Sequence, residues 1–334
     1  TAQASGQRAA INQQINSNSV TSVVSAQRIQ EIPETSAAEA VGRLPGVTIK
    51  NGSVIVRGLS PQFSKIQVDG TDMASTSLTG RSSRLDMISQ YMLEGIEMTK
   101  TAMADHEGDI IGARVNLIIK EAPKTPTAEI LFQNGYNTLS KSLGNQKLSV
   151  AGSNRFLDNK LGVFGQLSYE RNETATNSMS AGYLWIGDDG TSGEPMFNLS
   201  GLGLGDNKAR MRGRKGASLG MDYKTGLTKL KMSNFFSSTN NESVGRSMSY
   251  NSWSNSQSRG MWLGSNELMV MTNALRIEQA LGRFEIDGGV SHSYSKNHSP
   301  ENISVGAHDA NAIPGDADWT VHPIDFPAQI PADM

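Results

Sequence analysis

The stretch VIVRGLSPQFSKIQVDG, residues 54–70, holds two short β-rich runs, and each run ends in a charged residue followed by glycine. Val54–Val56 closes on Arg57-Gly58, and Lys65–Val68 closes on Asp69-Gly70. Glycine adopts positive φ angles without steric cost, so these pairs predict tight turns at the ends of short strands. The stretch therefore predicts a small, turn-rich β structure.

The sequence on both sides extends this pattern. Upstream, AAEAVGRLPGVTI (residues 37–49) predicts a short helix that stops at Pro45-Gly46 and continues into a strand. Downstream, GIEMTK (residues 95–100) and VNLIIK (residues 115–120) are two further β-rich segments. One Arg-Gly pair would carry no information, but five such landmarks in order within about eighty residues make a specific signal.

This order of landmarks resembles the plug domain of TonB-dependent outer-membrane receptors. The resemblance implies that charged plug residues pair with one another or with polar residues on the wall of a surrounding barrel. The residues expected to pack or gate the plug are Pro45, Gly46, Arg57, Gly58, Asp69, Gly70, Glu97, Lys100, Gly112 and Arg114. The family usually has a Gly-Gly pair where this chain has Gly112-Ala113, which puts the local backbone bend in doubt because alanine tolerates positive φ poorly.

Composition excludes several classes of protein. Lys and Arg total 30 against 32 Asp and Glu, so no basic excess points to nucleic acid. The chain has no cysteine, which excludes thiolate metal sites and disulfides. No apolar run approaches the roughly 18 residues of a transmembrane helix, whereas the alternating strands of a membrane barrel escape hydropathy averages. No signal peptide is visible at residues 1–8.

The organisation predicted is an α+β plug domain followed by antiparallel transmembrane β-barrel strands. Residues 1–18 are expected to be a flexible or weakly helical leader after a TonB box that lies outside this chain. Residues 19–125 are expected to form the plug, with a strand at 20–24 and short helices at 25–29, 36–44 and 87–93. Prolines 123 and 126 mark the boundary, and residues 126–334 are expected to form the first barrel strands and external loops.

Beyond residue 126 apolar and polar residues alternate with period two, as lipid outside and water inside a barrel require. Seven strands are predicted, near 127–136, 145–154, 160–171, 208–223, 227–237, 268–280 and 282–295. Tight turns alternate with long polar loops at 172–206 and 237–267, and residues 302–334 return to loop composition. A soluble β-sandwich also alternates apolar and polar residues, but it gives no reason for short and long loops to alternate.

Seven strands cannot close a barrel that holds a plug, since plugged transporters have about 22 strands. The chain is therefore expected to be the N-terminal portion of a longer receptor, seen as the plug and roughly the first third of the barrel.

Several catalytic or metal-like patterns have simpler interpretations. Gly216–Gly220 matches the G-x-S-x-G nucleophile motif but lies within a strand, where the motif's strand-to-helix turn is missing. Gly201–Gly205 imitates a phosphate loop without the lysine or the following helix. Asp105, Glu107 and Asp109 are better explained as solvated loop charges than as cation ligands. The histidines are scattered, so neither a catalytic nor a metal site is predicted.

The four tryptophans, Trp185, Trp253, Trp262 and Trp319, are predicted in external loops or at strand tops. An interfacial aromatic belt is the favoured interpretation, because a belt needs only position. Stacking against a carbohydrate or another flat ligand at a barrel mouth is the functional alternative.

The resemblance implies TonB-dependent active uptake of a scarce bulky ligand, such as a siderophore or oligosaccharide, across the outer membrane of a Gram-negative bacterium. The implied partners are TonB, outer-membrane lipid, the transported ligand and, in some family members, a surface lipoprotein lid. No cofactor, nucleic acid or enzymatic activity is expected. A passive plugged porin, or a surface adhesin that binds glycans, is the alternative.

Overall fold

The N-terminal region of the computed structural model is helical and β-stranded. The structure describes residues 7–15, 17, 20–30, 36–77, 80–100, 110–188, 190–191 and 194–330. Its first elements are helix α1 (Gln7–Ile15), strand β1 (Thr21–Ser25), helix α2 (Ala26–Gln30) and helix α3 (Ala37–Gly42). Within the expected leader, α1 packs on β1, because Ala10 and Val23 are buried together and Gln14 Nε2 donates to the Val23 carbonyl at 3.2 Å. The predicted strand and first two short helices of the plug are confirmed.

Helix α3 begins with the capping arrangement that the sequence predicts. Glu39 lies three residues after Ser36, and its carboxylate accepts a hydrogen bond from the Ser36 backbone N–H at 3.1 Å. The helix buries Ala37, Ala38, Ala40 and Val41. It ends at Gly42, just before the Pro45-Gly46 turn leads into the next strand.

Six more strands complete the plug. They are β2 (Val47–Lys50), β3 (Ser53–Val56), β4 (Ser64–Val68), β5 (Thr71–Asp72), β6 (Leu93–Thr99) and β7 (Ala113–Ile119). One sheet has the order β1-β6-β7-β4-β5, in which β4 and β7 are parallel, and β2 and β3 form a separate hairpin. The predicted helix at 87–93 is wrong: the chain forms a 3-10 turn at Gln90–Met92 and then enters β6, whose residues from Leu93 pair with β7.

The glycine turns are as predicted, but the residues before the glycines share the unusual conformation. Gly58 and Gly70 have φ of 77° and 73°, and Arg57 and Asp69 themselves have φ of 53° and 48°. Two consecutive positive φ values match the two-residue hairpin turn whose twist fits the flanking strands. Arg57 and Asp69 therefore have a backbone role besides their charge.

The second part of the chain is one antiparallel sheet, called here the strand wall. Its strands are β8 (Thr127–Asn137), β9 (Ser142–Phe156), β10 (Leu161–Asp188), β11 (Pro195–Lys224), β12 (Thr228–Asn251), β13 (Ser256–Leu281), β14 (Phe284–His298) and β15 (Asn302–Ala310). Consecutive strands from β8 to β14 pair as neighbours. Strand β15 pairs with Ser256–Gly264, the part of β13 that is called upper here because it lies away from the plug end of the wall.

The long polar loops predicted at 172–206 and 237–267 are wrong, because these residues extend the hairpins. Strands β10 and β11 run for 28 and 30 residues, more than twice the 9–11 residues that cross a bilayer. The period-two apolar pattern fades there, because a hairpin that extends beyond the lipid needs no continuous apolar face. The backbone ladder continues regardless, with the β12–β13 pairing unbroken from Thr228 to Asn251.

The region from 302 to 334, expected to be loop, also contains structure. Besides β15, it includes a 3-10 turn at Phe326–Gln329 whose Phe326 is fully buried. Phe326 packs edge-on against Tyr250 of β12, with ring centroids 5.7 Å apart, in a small cluster with Leu199, Leu202 and Ile313.

The two faces of the wall differ as the alternation predicts. Leu219 is 41% exposed while its neighbour Ser218 is 5% exposed, and the same alternation holds along β10. The inward face carries a few apolar residues that join the plug's core, namely Ala151, Phe164, Phe235, Leu268 and Val270. Among the described residues, no helix is long and apolar enough to cross a membrane.

Candidate functional site: the interface between plug and strand wall

The plug contacts the wall along consecutive strands from β8, where Glu129 pairs with Lys120 at 3.3 Å, to β14, and this plug–wall interface is the candidate functional site. Apolar contacts fill its centre, where the inward-facing Phe164 and Phe235 are 4% and 1% exposed. Polar contacts form three groups around that centre. They decide how the plug is held, because a buried charge is costly unless it is paired.

The first group, called the Asp86 cluster, comprises Arg84, Asp86 and Ser89 of the plug with Glu170, Arg212 and Arg214 of the wall. Its most buried pair joins Arg214 Nη1 to Glu170 Oε2 at 2.8 Å, with side chains 3% and 8% exposed. The Ser89 hydroxyl donates to Glu170 Oε1 at 2.5 Å, and Arg214 Nη2 donates to the Asp86 carbonyl. A buried pair on the wall is thus satisfied partly by the plug.

The Asp86 carboxylate binds two more arginines. Arg84 donates to it through Nε at 3.0 Å and Nη2 at 2.6 Å, and Arg212 of β11 lies 3.4 Å away. Next to this cluster, the Ser237 hydroxyl of β12 donates to the Met87 carbonyl at 2.5 Å. The segment 84–89 is therefore fixed to three neighbouring strands.

The second group, called the Lys231 cluster, comprises Asp69, Glu94 and Glu121 of the plug side with Lys224 and Lys231 of the wall. Lys231 Nζ lies 2.9 Å from Glu121 and 3.4 Å from Asp69, so two acids share one lysine. Lys224 binds Glu121 from the other side at 3.0 Å. Asp69 also accepts the Ile119 backbone N–H at 3.1 Å, which ties the β4–β5 turn to the end of β7.

The pKa values of the two acids that share Lys231 shift in opposite directions, although the lysine itself lowers both. Burial opposes ionisation of Glu121, but Lys231 and Lys224 outweigh it and lower the Glu121 pKa to about 2. Burial dominates for Asp69, so its pKa is raised despite Lys231. This agrees with the geometry, because Asp69 Oδ2 is buried without a hydrogen-bond partner. Burial also raises the pKa of Glu94.

The third group joins a plug loop to β14 through small polar side chains. Ser293 Oγ accepts the Ala74 N–H at 2.8 Å, Ser295 donates to the Ser75 carbonyl, and Asn297 Nδ2 donates to the Thr76 carbonyl at 2.9 Å. These bonds involve no charge, so this side of the plug is held less strongly than the Asp86 side.

Two of the predicted plug residues lie at the wall. Asp69 belongs to the Lys231 cluster, and Gly70 lies against Arg276 of β13, whose Nη2 is 2.7 Å from the position that a Cβ on Gly70 would take. The Gly70 N–H also donates to Asn116 Oδ1 at 2.7 Å.

Four others meet each other instead. Lys100 Nζ donates to the Pro45 carbonyl at 2.7 Å, and the Arg57 N–H donates to the Gly46 carbonyl at 2.9 Å. Burial, followed by the nearby Arg57 charge, lowers the pKa of Lys100. Gly58 follows Arg57 in the same exposed turn.

The remaining predicted plug residues lie in or beside β6 and β7. Glu97 lies opposite Asn116 in that pairing, and Arg114 has a buried Nε without a hydrogen-bond partner. The Gly112-Ala113 bend does not need the positive φ that alanine tolerates poorly, because neither residue has a positive φ. Glycine is needed at 112 for close approach, because a Cβ there would lie 2.8 Å from Ser64 Oγ and 3.0 Å from the Phe63 carbonyl oxygen.

The tryptophans do not share one environment. Trp185 lies in β10 opposite Phe197, and Trp253 lies in the turn after β12. Trp319 packs on Phe326, with ring centroids 4.1 Å apart. Trp262 lies in β13 opposite Gly245.

The structure does not support a catalytic role for the G-x-S-x-G pattern. Ser218 is buried in mid-strand, and its Oγ has no hydrogen-bond partner. Residues 105, 107 and 109 lie outside the described residues. Within the residues that are described, no group of three His, Cys, Asp or Glu side chains could hold a metal ion.

Sequence reasoning missed most of the residues that hold the plug, notably Arg84, Asp86, Glu121, Glu170, Arg214 and Lys231. One signal was available. Glu170 and Arg214 occupy the inward positions of predicted strands, where a charge must find a partner inside the barrel.

Comparison with known proteins agrees with the class of protein that these features define, a plug held by a wall of antiparallel strands. Residues 13–113 match the family model described as TonB-dependent Receptor Plug Domain. This part of the chain belongs to that family, and the resemblance found in residues 44–120 is confirmed. The family is one of transport receptors rather than enzymes. No curated protein sequence matches the chain.

Three solved structures with a similar arrangement are distant from this chain in sequence. A variant of the ferric enterobactin receptor of Pseudomonas aeruginosa, solved with enterobactin, has 13% identity and a TM-score of 0.47 over 83% of this chain and 49% of its own. The siderophore receptor PirA of Acinetobacter baumannii has 14% identity, a TM-score of 0.40, and coverages of 86% and 56%. The ferric yersiniabactin uptake receptor of Yersinia pestis has 12% identity and a TM-score of 0.40 over 87% of this chain and 61% of its own. The chain thus spans about half to three fifths of these structures.

Proposed function

We propose that this chain is part of an outer-membrane receptor that takes up a scarce, bulky ligand in a TonB-dependent manner. In this proposal the extended hairpins bind the ligand outside the cell, and the plug closes the lumen until TonB acts. The protein makes and breaks no covalent bond. It resides in the outer membrane of a Gram-negative bacterium, with its apolar outward face in lipid.

The observation that carries the proposal is the way in which the plug is held. A domain of the TonB-dependent receptor plug family lies against the inward face of strands whose other face is apolar and exposed. Polar and charged bonds to β10, β11, β12 and β14 keep it in place.

TonB is the proposed energy-coupling partner. The described plug begins with α1 and β1, and β1 is the edge strand of the plug sheet, where it pairs with β6. A pull applied ahead of residue 20 would thus reach the plug through β1. A surface lipoprotein lid is a further proposed partner of the external hairpins.

The test separates binding from uptake in cells that express the full-length receptor. Labelled probes, namely ferric siderophores and neutral oligosaccharides, are offered with and without a functional TonB. We expect surface binding of the recognised probe to survive loss of TonB while its uptake stops, because binding uses preformed strands and only passage requires the plug to move. Uptake that continues without TonB or without a proton gradient would identify a passive pore and overturn the proposal.

A further inference from the structure

The inner face of the upper strand wall carries an exposed indole that lies over a glycine. Trp262 of β13 pairs with Gly245 of β12, and the indole Nε1 and Cε2 occupy the space that a Cβ on Gly245 would need. Trp262 remains 37% exposed. The indole is therefore packed over Gly245, and about a third of the side chain stays accessible to a ligand.

The strand register places this indole inside the lumen. Ser237 of β12 faces inward, because its hydroxyl binds the Met87 carbonyl of the plug. Gly245 is eight residues further along the same strand, and an even spacing keeps it on the same face. The β12–β13 pairing has no register shift, so Trp262 opposite Gly245 also faces inward.

A polar cavity of about 370 Å³ adjoins the indole. Gly264 lines the cavity, and the position of a Cβ on it lies 3.9 Å from Trp262 Cζ3. Arg84 of the plug contributes to the lining of this cavity. Its walls are mostly neutral hydrogen-bonding side chains, contributed by Asn241, Ser243, Asn266, Ser299 and Asn302.

The charges around the cavity are balanced. Its two arginines, Arg84 and Arg212, both bind the Asp86 carboxylate, at 2.6 Å and 3.4 Å. Glu301 adds a second negative charge to the lining. An anionic ligand, such as a multiply charged iron chelate, would have to compete with Asp86 for these arginines, so the site favours a neutral ligand.

Resting on the uptake proposed above, we infer that Trp262 and this cavity form a ligand subsite for a neutral polyhydroxylated ring compound, an oligosaccharide. The flat, C–H-rich face of a sugar ring packs on the exposed indole. Its hydroxyls, each both donor and acceptor, match the amide and hydroxyl groups of the cavity. Gly245 is a positioning residue, because it gives the indole its place.

The test measures binding to the purified full-length receptor in detergent by titration calorimetry. The probes are maltohexaose, cellohexaose, xylohexaose and ferric enterobactin. We expect at least one of the hexasaccharides to bind. Trp262→Ala should weaken it about tenfold or more, the size expected for loss of an aromatic contact. Gly245→Ala should weaken it similarly, because the added methyl displaces an otherwise unchanged Trp262 indole, and Trp262→Phe should retain part of the affinity.

One matched control should bind as the parent does. Gly213→Ala adds a methyl group to another strand of the wall, where no heavy atom lies within 4 Å. Heat-modifiable migration of each variant confirms folding. Binding of ferric enterobactin but no hexasaccharide, no binding by any probe, or hexasaccharide binding unaffected by Trp262→Ala would each overturn the inference.

The failure of this inference can be told apart from the failure of the proposed function. Binding of a siderophore alone would refute this subsite and leave TonB-dependent uptake standing. Hexasaccharide binding that Trp262→Ala weakens, together with uptake that needs no TonB, would support this subsite and refute TonB-dependent uptake.

Discussion

At the scale of single residues, the buried pair between Arg214 and Glu170 is the interaction whose loss should matter most. Arg214→Met would leave the Glu170 carboxylate buried with the Ser89 hydroxyl as its remaining described hydrogen-bond donor. Removing one member of a buried pair typically costs about 3–5 kcal/mol. We expect the plug of the full-length receptor to unfold at clearly lower urea concentration, followed by protease sensitivity of the segment 84–89.

Lys229→Ala is the matched control for that measurement. Lys229 and Glu278 form an ion pair at 2.5 Å between exposed strand residues. Solvent screens such a pair, so its removal should leave the urea midpoint unchanged. Equal effects of the two substitutions would show that the Arg214 pair does not hold the plug.

The Glu121 carboxylate should make plug stability depend on pH. Its pKa is lowered to about 2 from an ordinary value of 4.5, so the folded state favours the ionised form. The stabilisation is complete above pH 4.5 and is lost as the pH falls from there towards 2. We expect Glu121→Gln to lower the urea midpoint at pH 7, and the difference from the parent to shrink below pH 4.5.

The Asp69 carboxylate makes the stability of the plug depend on pH in the opposite sense. Its raised pKa means that the folded state binds the proton more tightly, so acid relieves the cost of its buried charge. Asp69→Asn is therefore the informative companion, because its difference from the parent should change with pH in the other direction. A Glu121→Gln difference that stays constant between pH 7 and 2.5 would show that Lys231 and Lys224 do not hold the Glu121 charge.

How far the sequence predicts such residues depends on their separation. The plug turns were predictable because glycine and its preceding residue act locally, as the φ values at Arg57-Gly58 and Asp69-Gly70 show. The Arg214–Glu170 pair spans 44 positions and exists only in one register of β10 and β11. Period-two alternation assigns both residues to the inner face, but it cannot say which plug segment meets them.

At the scale of secondary-structure elements, the register of β11 gives a direct test of the outward face. Leu219 is exposed on the outer face and Ser218 is buried on the inner one. An arginine in mid-bilayer on the lipid face costs about 2–4 kcal/mol. We expect Leu219→Arg to reduce insertion of the full-length receptor, measured by the folded band in outer-membrane fractions, while Ser218→Ala inserts and takes up ligand normally.

That pair of substitutions also tests two interpretations of the serine. Normal insertion of Leu219→Arg would mean that the outer face of β11 does not contact lipid. Loss of uptake in Ser218→Ala alone would mean that the G-x-S-x-G pattern has a function that its mid-strand position argues against.

The elements also show where pattern reasoning stops. Apolar alternation located the membrane-proximal halves of the strands, because only there does one face need to be apolar. The upper halves of β10 to β13 are rich in Ser, Asn, Thr and Gly and have no continuous apolar face, so their sequence resembles a loop although they form ladders. Their length follows from pairing, which single-strand patterns do not encode.

At the scale of the whole molecule, the strand wall has two edges in the part of the chain that the structure describes. Strand β8 pairs with β9, and β14 pairs with β13, but each has one unpaired side. In lipid, each unsatisfied backbone group along such an edge costs several kcal/mol. Closure therefore requires further strands between β8 and β14.

We therefore expect residues 126–334, expressed alone with an export signal, to fail to form a closed barrel. The measurement is electrophoresis with and without heating, since closed barrels migrate faster before heating than after. The full-length receptor should show this shift and the fragment should not, because its edges have no partners and its inward face has lost the plug residues that satisfy Arg214 and Lys231. A heat-dependent shift for the fragment would mean that these strands close on themselves, and the lumen would then be too narrow for the plug that they contact here.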